Sequence, residues 1–303
     1  MTALRTATIG IDRVSARQRT LDYFVLAKPR VVVMVLAVTV AGYYMAATQT
    51  PDWVRLLHLL IGIALTAGGT LALNQYIERE EDALMQRTQM RPLPDGRLYP
   101  IEALCFGLIA TLSGLLYVTL MVQALAGMVT AITVGSYLFC YTPLKLKTSL
   151  CSVVGALPGA LPPVTGWVAA SGTFDREVWV LFAILFLWQL PHSLAIAWLY
   201  REDYARASFQ LLPVVDPGGQ STGRQIIVNC LALMAVGLLP TLMGMTGPVY
   251  FAAAFALGLI FLGFGVEAAR VRTTEAIRRL VLASLVYLPL TFLAMALDKL
   301  PKL

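Results

Sequence analysis

Nine apolar runs, each long enough to cross a lipid bilayer, constrain this 303-residue chain more than anything else in it. They fall at roughly 31–49, 54–77, 101–121, 124–141, 151–170, 178–199, 225–246, 248–268 and 278–297. In hydrocarbon no water is available to the backbone, so each run must bond its own N–H and C=O groups as a helix. The alternating pattern of a membrane β-barrel is not seen in these runs. Charged residues make up 13% of the chain, against about a quarter in soluble domains, and 58% are hydrophobic. The expected fold class is therefore all-α, a polytopic membrane helical bundle with the lipid bilayer around it. Its expected organisation is a cytoplasmic N-terminal tail at 1–30, one transmembrane domain at 31–298 and a short external C-terminus at 299–303. No nucleic-acid partner is expected.

The net charge is +6, and its placement says more than its size. Arg5, Arg13, Arg17, Arg19, Lys28 and Arg30 precede the first span. Arg79, Arg87, Arg91 and Arg97 follow the second, and Lys145 and Lys147 the fourth. Arg201, Arg206 and Arg224 follow the sixth, and Arg270, Arg272, Arg278 and Arg279 the eighth. The other side keeps Arg55, Arg176, Lys299 and Lys302. The positive-inside rule then puts the N-terminus in the cytoplasm and the C-terminus outside. A basic tail can also be a transit peptide, but a short cytoplasmic tail is the simpler reading.

Charge gathers abruptly where the second span meets water, at Asn74-Gln75-Tyr76-Ile77-Glu78-Arg79-Glu80-Glu81-Asp82. Asn74, Glu78 and Asp82 recur every four residues and so share one helix face. Three oxygen-bearing side chains there can hold a hard cation such as Mg²⁺, which takes one or two carboxylates and completes its shell with substrate phosphates. Arg87 and Arg91 supply forked donors for those phosphates. The bland alternative is a solvated helix end. Against it, polar groups entering a membrane helix are costly and functional by default.

Tyr200-Arg201-Glu202-Asp203-Tyr204-Ala205-Arg206 follows the sixth span on the same side. Asp203, and Glu202 after it, are metal-ligand candidates, with Arg201 and Arg206 as phosphate binders. Balanced surface charge is the alternative. Lys145 and Lys147 can reach phosphates, although topology alone also explains them. Within the sixth span, Trp188-Gln189-Leu190-Pro191-His192 places a histidine in the membrane behind a helix-bending proline. His192 needs a hydrogen bond, a proton-transfer role or an iron. His58 reads as structural or interfacial. The Gly- and Pro-rich fifth span predicts an irregular helix lining a cavity. Cys105, Cys140, Cys151 and Cys230 read as buried small hydrophobes with no zinc spacing, and no disulfide is expected. The last three spans carry little chemistry and are expected to complete the bundle.

Several stretches together resemble the UbiA superfamily of membrane prenyltransferases. They are Lys28-Pro29-Arg30, Asn74-x₃-Glu78-x₃-Asp82 running on to Arg87-Thr88, and Arg91-Pro92-Leu93-Pro94. With them go Tyr141-Thr142-x₂-Lys145, Pro162-Pro163-x₂-Gly166-Trp167, Trp188-x₂-Pro191-His192, and Asp203-Tyr204-Ala205-Arg206-Ala207 leading to Leu211-Leu212-Pro213. Pro191-His192 and the Asp203 run are similar to the branch that farnesylates haem B. The resemblance implies nine helices around a central cavity and acidic motifs binding Mg²⁺ and a prenyl diphosphate. Haem B and farnesyl diphosphate are the implied substrates, in a bacterial inner membrane with the site on the cytoplasmic side. The implied partners include haem A synthase or terminal oxidase assembly. On this reading Asn74, Glu78, Asp82 and Asp203 hold the metal, with Glu202 beside them, and Arg87, Arg91 and Lys145 neutralise the diphosphate. Tyr141, Trp188 and Tyr204 offer aromatic faces to an allylic cation, and His192 ligates the iron or positions the porphyrin. The chain departs from the family at Glu78, where Asp is usual, and at Ala207, where the second motif lacks an acid. The competing readings are prenylation of an aromatic quinone precursor and, from another class, a membrane transporter.

Overall fold

A computed structural model describes residues 15–48 and 50–301. Arg5, Arg13 and Lys302, counted above for topology, lie outside the described residues, as do parts of the expected tail and C-terminus. Among the described residues nine helices are long and apolar enough to span a membrane. They are Pro29–Ala46, Trp53–Ile77, Pro100–Met121, Ala124–Leu144, Cys151–Ser171, Arg176–Leu199, Gln220–Leu242, Pro248–Val271 and Thr274–Leu297, numbered here as spans 1 to 9.

Punctuation in the sequence sets their ends. Pro29, Pro100 and Pro248 stand in the first turn of spans 1, 3 and 8, where a missing N–H is harmless. Asp52 starts span 2 by accepting the Arg55 backbone N–H at 2.9 Å. Gly172, at φ +80°, ends span 5. Span 5 is irregular, as its composition predicts. It divides at Leu161 into Cys151–Ala160 and Pro162–Ser171, and Pro162 cannot continue the ladder of the first half. Span 4 is α-helical to Gly135 and then widens into a π-helical turn, Ser136–Tyr141. Pro143 lies just beyond, and its missing N–H leaves the upstream carbonyls to be satisfied otherwise.

Spans 2 and 3 make the most extensive contact in the bundle. The approach is close because a Cβ at Gly69 would lie 2.5 Å from the Thr111 backbone nitrogen. His58 belongs to this contact, with its Nδ1 2.7 Å from the Tyr117 hydroxyl. Spans 6 to 9 pack on one another around a second, larger core that includes Trp167, Tyr250 and Phe261. Cys151 and Cys230 are buried, as expected of small hydrophobes. Cys105 and Cys140 are instead exposed, because they fall on the outward faces of spans 3 and 4.

A short helix, Ala16–Leu26, precedes span 1 within the segment expected to be tail. Its fully buried Asp22 pairs with Arg97 from the loop after span 2, and the Gln75 side-chain amide donates to the Leu26 carbonyl at 2.6 Å. These bonds hold the entry to span 1 against the exit from span 2.

Candidate active site

The loops after spans 2, 4 and 6 meet at one end of the bundle, and hydrogen bonds across long stretches of chain join them. Span 2 ends one turn after Asn74. The helix does not run straight on, because Glu78 is its C-cap at φ −92° and ψ 15°, and a new short helix, Arg79–Leu84, carries Asp82. The expected single helix face is therefore broken at its middle residue. The Asp82 backbone N–H still donates to the Glu78 carbonyl at 2.8 Å, so helical spacing survives the break. Asn74, Glu78 and Asp82 are all buried.

Each carboxylate has a cation. Lys145 Nζ lies 2.6 Å from Glu78 Oε1, and Arg91 Nη1 lies 2.5 Å from Asp82 Oδ2. Buried carboxylates need such partners, since desolvating a charge costs several kcal/mol. The π turn of span 4 delivers Tyr137 and Tyr141 to the same place. Lys145 Nζ sits 4.5 Å from the Tyr141 ring centroid, and the Tyr137 hydroxyl is 3.4 Å from Asn74 Oδ1. Asn74 also donates to the Thr142 hydroxyl at 3.2 Å. Burial works against the charge on Lys145, but Tyr141 and Glu78 outweigh it and raise its pKa.

Lys28 joins this group, and the sequence reading did not place it in the site. Its Nζ is 3.5 Å from Asn74 Oδ1. Its backbone is left-handed, at φ 48° and ψ 63°, in front of Pro29. A residue before proline is pushed out of the right-handed helical region, usually to extended rather than left-handed backbone, so the sequence signal for Lys28 is its place in the Lys28-Pro29-Arg30 stretch of the resemblance. Burial, and then the charges of Arg91 and Lys145, lower its pKa to about 7 against the pull of Glu78 and Asp82.

The second acidic loop behaves differently. Asp203 is buried and accepts the backbone N–H groups of Gln86 at 3.1 Å and Arg87 at 3.3 Å, and it pairs with Arg206. It thus clamps the loop that carries the first motif. Arg87 is held over Tyr200 and Tyr204, its Cζ 5.0 and 5.8 Å from their ring centroids, and it donates to the Tyr204 hydroxyl. The Gln210 N–H donates to the Lys145 carbonyl at 2.7 Å, tying in the loop after span 4. Glu202 and Arg201 are exposed, and so is Lys147. The residue before a buried one on a short helix lies about 100° around it, and this turns Glu202 away from Asp203's contacts.

Behind this charged mouth lies a cavity of about 470 Å³. Its walls are mostly aliphatic, with threonine hydroxyls and the rings of Tyr141, Tyr204, Trp188 and His192, and no charged side chain lines it among the described residues. Val31 and Met34 line one edge and are themselves exposed, so the cavity reaches the lipid-facing surface there. Trp188 and His192, one helical turn apart on span 6, stack with centroids 4.8 Å apart.

At the mouth, two carboxylates and an amide oxygen, without thiolate or imidazole, suit a hard oxygen-seeking cation. No three His, Cys, Asp or Glu residues close into a cage among the described residues. Mg²⁺ does not require one, since it is usually held by one or two carboxylates together with substrate phosphates. The residues present therefore fit that ion.

Comparison with known proteins agrees with this architecture. The chain is 48% identical over 287 residues to the protoheme IX farnesyltransferase of Solibacter usitatus, covering 92% of this chain and 98% of the relative. It is 38% identical over 305 residues to the protoheme IX farnesyltransferase of Koribacter versatilis, covering 97% and 98%. A solved structure of a UbiA homolog from Archaeoglobus fulgidus, bound to GPP and Mg²⁺, superposes with a TM-score of 0.68 at 15% identity, covering 90% of this chain and 99% of that one, and so shares the fold. The model of the UbiA prenyltransferase family matches residues 35–293, nearly the whole membrane bundle, and the chain belongs to that family.

Proposed function

We propose that this protein transfers a farnesyl group from farnesyl diphosphate to a vinyl group of haem B with addition of water, giving haem O and diphosphate. The observation that carries this reading is a cation-rich mouth set directly on an apolar cavity. Such a site takes a molecule with a diphosphate head and a hydrocarbon tail. The names of the relatives supply the haem acceptor.

Asn74, Glu78 and Asp82 would hold Mg²⁺, which neutralises diphosphate charge and makes it a better leaving group. Lys28, Arg87, Arg91 and Lys145 bind and orient the phosphate oxygens. Asp203 holds the loop that carries Arg87 in place. When the bond from farnesyl C1 to oxygen breaks, its electron pair leaves with the diphosphate. The rings of Tyr141, Tyr204 and Trp188 face the allylic cation, a contact worth about 1–2 kcal/mol when desolvated. The vinyl group's terminal carbon bonds to farnesyl C1. Water adds at the adjacent carbon and loses a proton to solvent, leaving a hydroxyl. The apolar walls keep bulk water from quenching the farnesyl cation first.

The proposal places the protein in a bacterial inner membrane, N-terminus in the cytoplasm and C-terminus outside. That orientation rests on the basic residues of the even-numbered exits. The membrane domain is taken as a single unit at 31–298, with short flanking segments. An apolar product is best handed on within the membrane, so association with haem A synthase or terminal oxidase assembly belongs to the same proposal.

The test is diphosphate release by the purified protein with haem B, farnesyl diphosphate and Mg²⁺, with the pigment analysed by mass. The expected result is Mg²⁺-dependent release with haem gaining one farnesyl unit plus one water. Release with unmodified haem would move the acceptor to an aromatic quinone precursor. Absence of release from folded protein would overturn the enzyme assignment in favour of transport.

A further inference from the structure

Ser284 lies on span 9, 92 residues from the histidine it touches, and is fully buried. Its hydroxyl has one hydrogen. The Val281 carbonyl one turn back takes it at 2.6 Å. His192 Nδ1 lies 2.7 Å from the same oxygen. When that hydrogen goes to Val281, Ser284 Oγ meets His192 as an acceptor, and Nδ1 then carries the imidazole proton. The lone pair is then on Nε2, across a ring that lines the cavity. Ser284 also anchors the residue under that ring: Trp188 Nε1 donates to the Ser284 carbonyl at 2.8 Å, and the indole and imidazole stack at 14°. One residue of span 9 thus touches both stacked rings, and its hydroxyl and carbonyl fit a histidine protonated on Nδ1.

We propose that Ser284 is a positioning residue that holds His192 with its Nε2 lone pair aimed into the cavity, as the axial ligand for the iron of the porphyrin substrate. The inference rests on the haem acceptor proposed above. A metal-bound histidine characteristically donates its other ring N–H to a fixed acceptor, which sets its orientation and raises its donor strength. The relay from Nδ1 through the Ser284 hydroxyl to the Val281 carbonyl is such an arrangement, already complete without the metal. Among the described residues no charged side chain lines the cavity beside this ring. A neutral imidazole is the form that ligates iron.

The test uses full-length protein in detergent micelles, loaded with ferrous haem B and read by resonance Raman spectroscopy. The iron–histidine stretch reports both ligation and the hydrogen bond at Nδ1. Wild type is expected to show the stretch and His192→Ala to lack it. Ser284→Ala should move it to lower frequency and weaken haem affinity about tenfold. Ser284→Cys, which keeps the volume but is a poor acceptor, should resemble Ala, while Ser284→Thr, which keeps the hydroxyl, should restore the wild-type band. A stretch absent from wild type, surviving in His192→Ala or unmoved in both Ser284→Ala and Ser284→Cys overturns the inference. If the Ser284 variants do not fold, the contrast of wild type with His192→Ala still decides ligation. Product mass is measured on the same samples. Farnesylated haem without the stretch sinks the inference alone, whereas the stretch without any farnesylated product sinks the proposed function alone.

Discussion

Glu78 and Asp82 in one loop, and Asp203 in the other, are buried acids at the same end of the bundle, yet they are held by different kinds of donor. The hydrogen bonds reaching the Glu78 and Asp82 carboxylates come from the side chains of Lys145 and Arg91. Those reaching Asp203 come from the backbone of Gln86 and Arg87, with Arg206 added. A lysine or arginine can swing aside when a cation or a diphosphate enters. A backbone amide in a packed loop cannot move without refolding the loop. The first pair is therefore available for exchange with ligand, and Asp203 serves as a clamp. In the proposed function both kinds of acid matter to turnover, by separable routes.

The largest effect is expected at Asp82. Asp82→Asn keeps an acceptor for Arg91 and removes the charge that a cation needs. Steady-state diphosphate release should fall about a thousandfold while the melting temperature stays near wild type. An equal loss of thermal stability would mean that Asp82 is structural after all. Next comes Asp203→Ala, which strips two backbone N–H groups and Arg206 of their acceptor. Thermal unfolding should show a loss of about 2 kcal/mol, with the Mg²⁺ concentration for half-maximal rate unchanged. A higher Mg²⁺ requirement at wild-type stability would make Asp203 a ligand and collapse the distinction.

Asp216 is a fourth acid and a control for backbone-held carboxylates. It accepts from the Thr222 N–H at 2.8 Å and from its hydroxyl at 3.1 Å, at the start of span 7. Burial pulls its pKa up, but these bonds and those from Ser221 and Gln220 win and hold it below the usual 3.8. Its contribution is thus complete above about pH 3.8 and fades as pH falls through the lower value it has in the folded protein. Asp216→Ala should cost about 1 kcal/mol at pH 7, with the gap to wild type closing in strong acid and Mg²⁺ dependence untouched. The smallest effect is expected at Glu202, which is exposed beside Asp203. Glu202→Gln should leave melting and turnover at wild-type values. A clear drop in rate would bring Glu202 back as a ligand on the second loop.

The amino-acid sequence by itself determined the number and rough limits of the spans. Hydrocarbon accepts only long apolar helices, so run length is a direct physical signal. It also marked the charged exits of spans 2, 4 and 6, the irregular fifth span and the residues Asn74, Glu78, Asp82, Lys145 and Asp203 that meet at one end. Tertiary structure decided how those residues are held. The pairing of Glu78 with Lys145, the contact of Lys28 with Asn74 and the clamp from Asp203 to the Gln86 and Arg87 amides are contacts across 46 to 117 residues. No local pattern carries that information. Ser284 shows the limit most clearly. Spans 7 to 9 look chemically plain as sequence, and one serine among aliphatic residues gains its meaning only when span 9 packs on span 6 and brings that hydroxyl to His192. Local physics chose the helices, and the pairing of distant helices brought the Ser284 hydroxyl to the His192 ring.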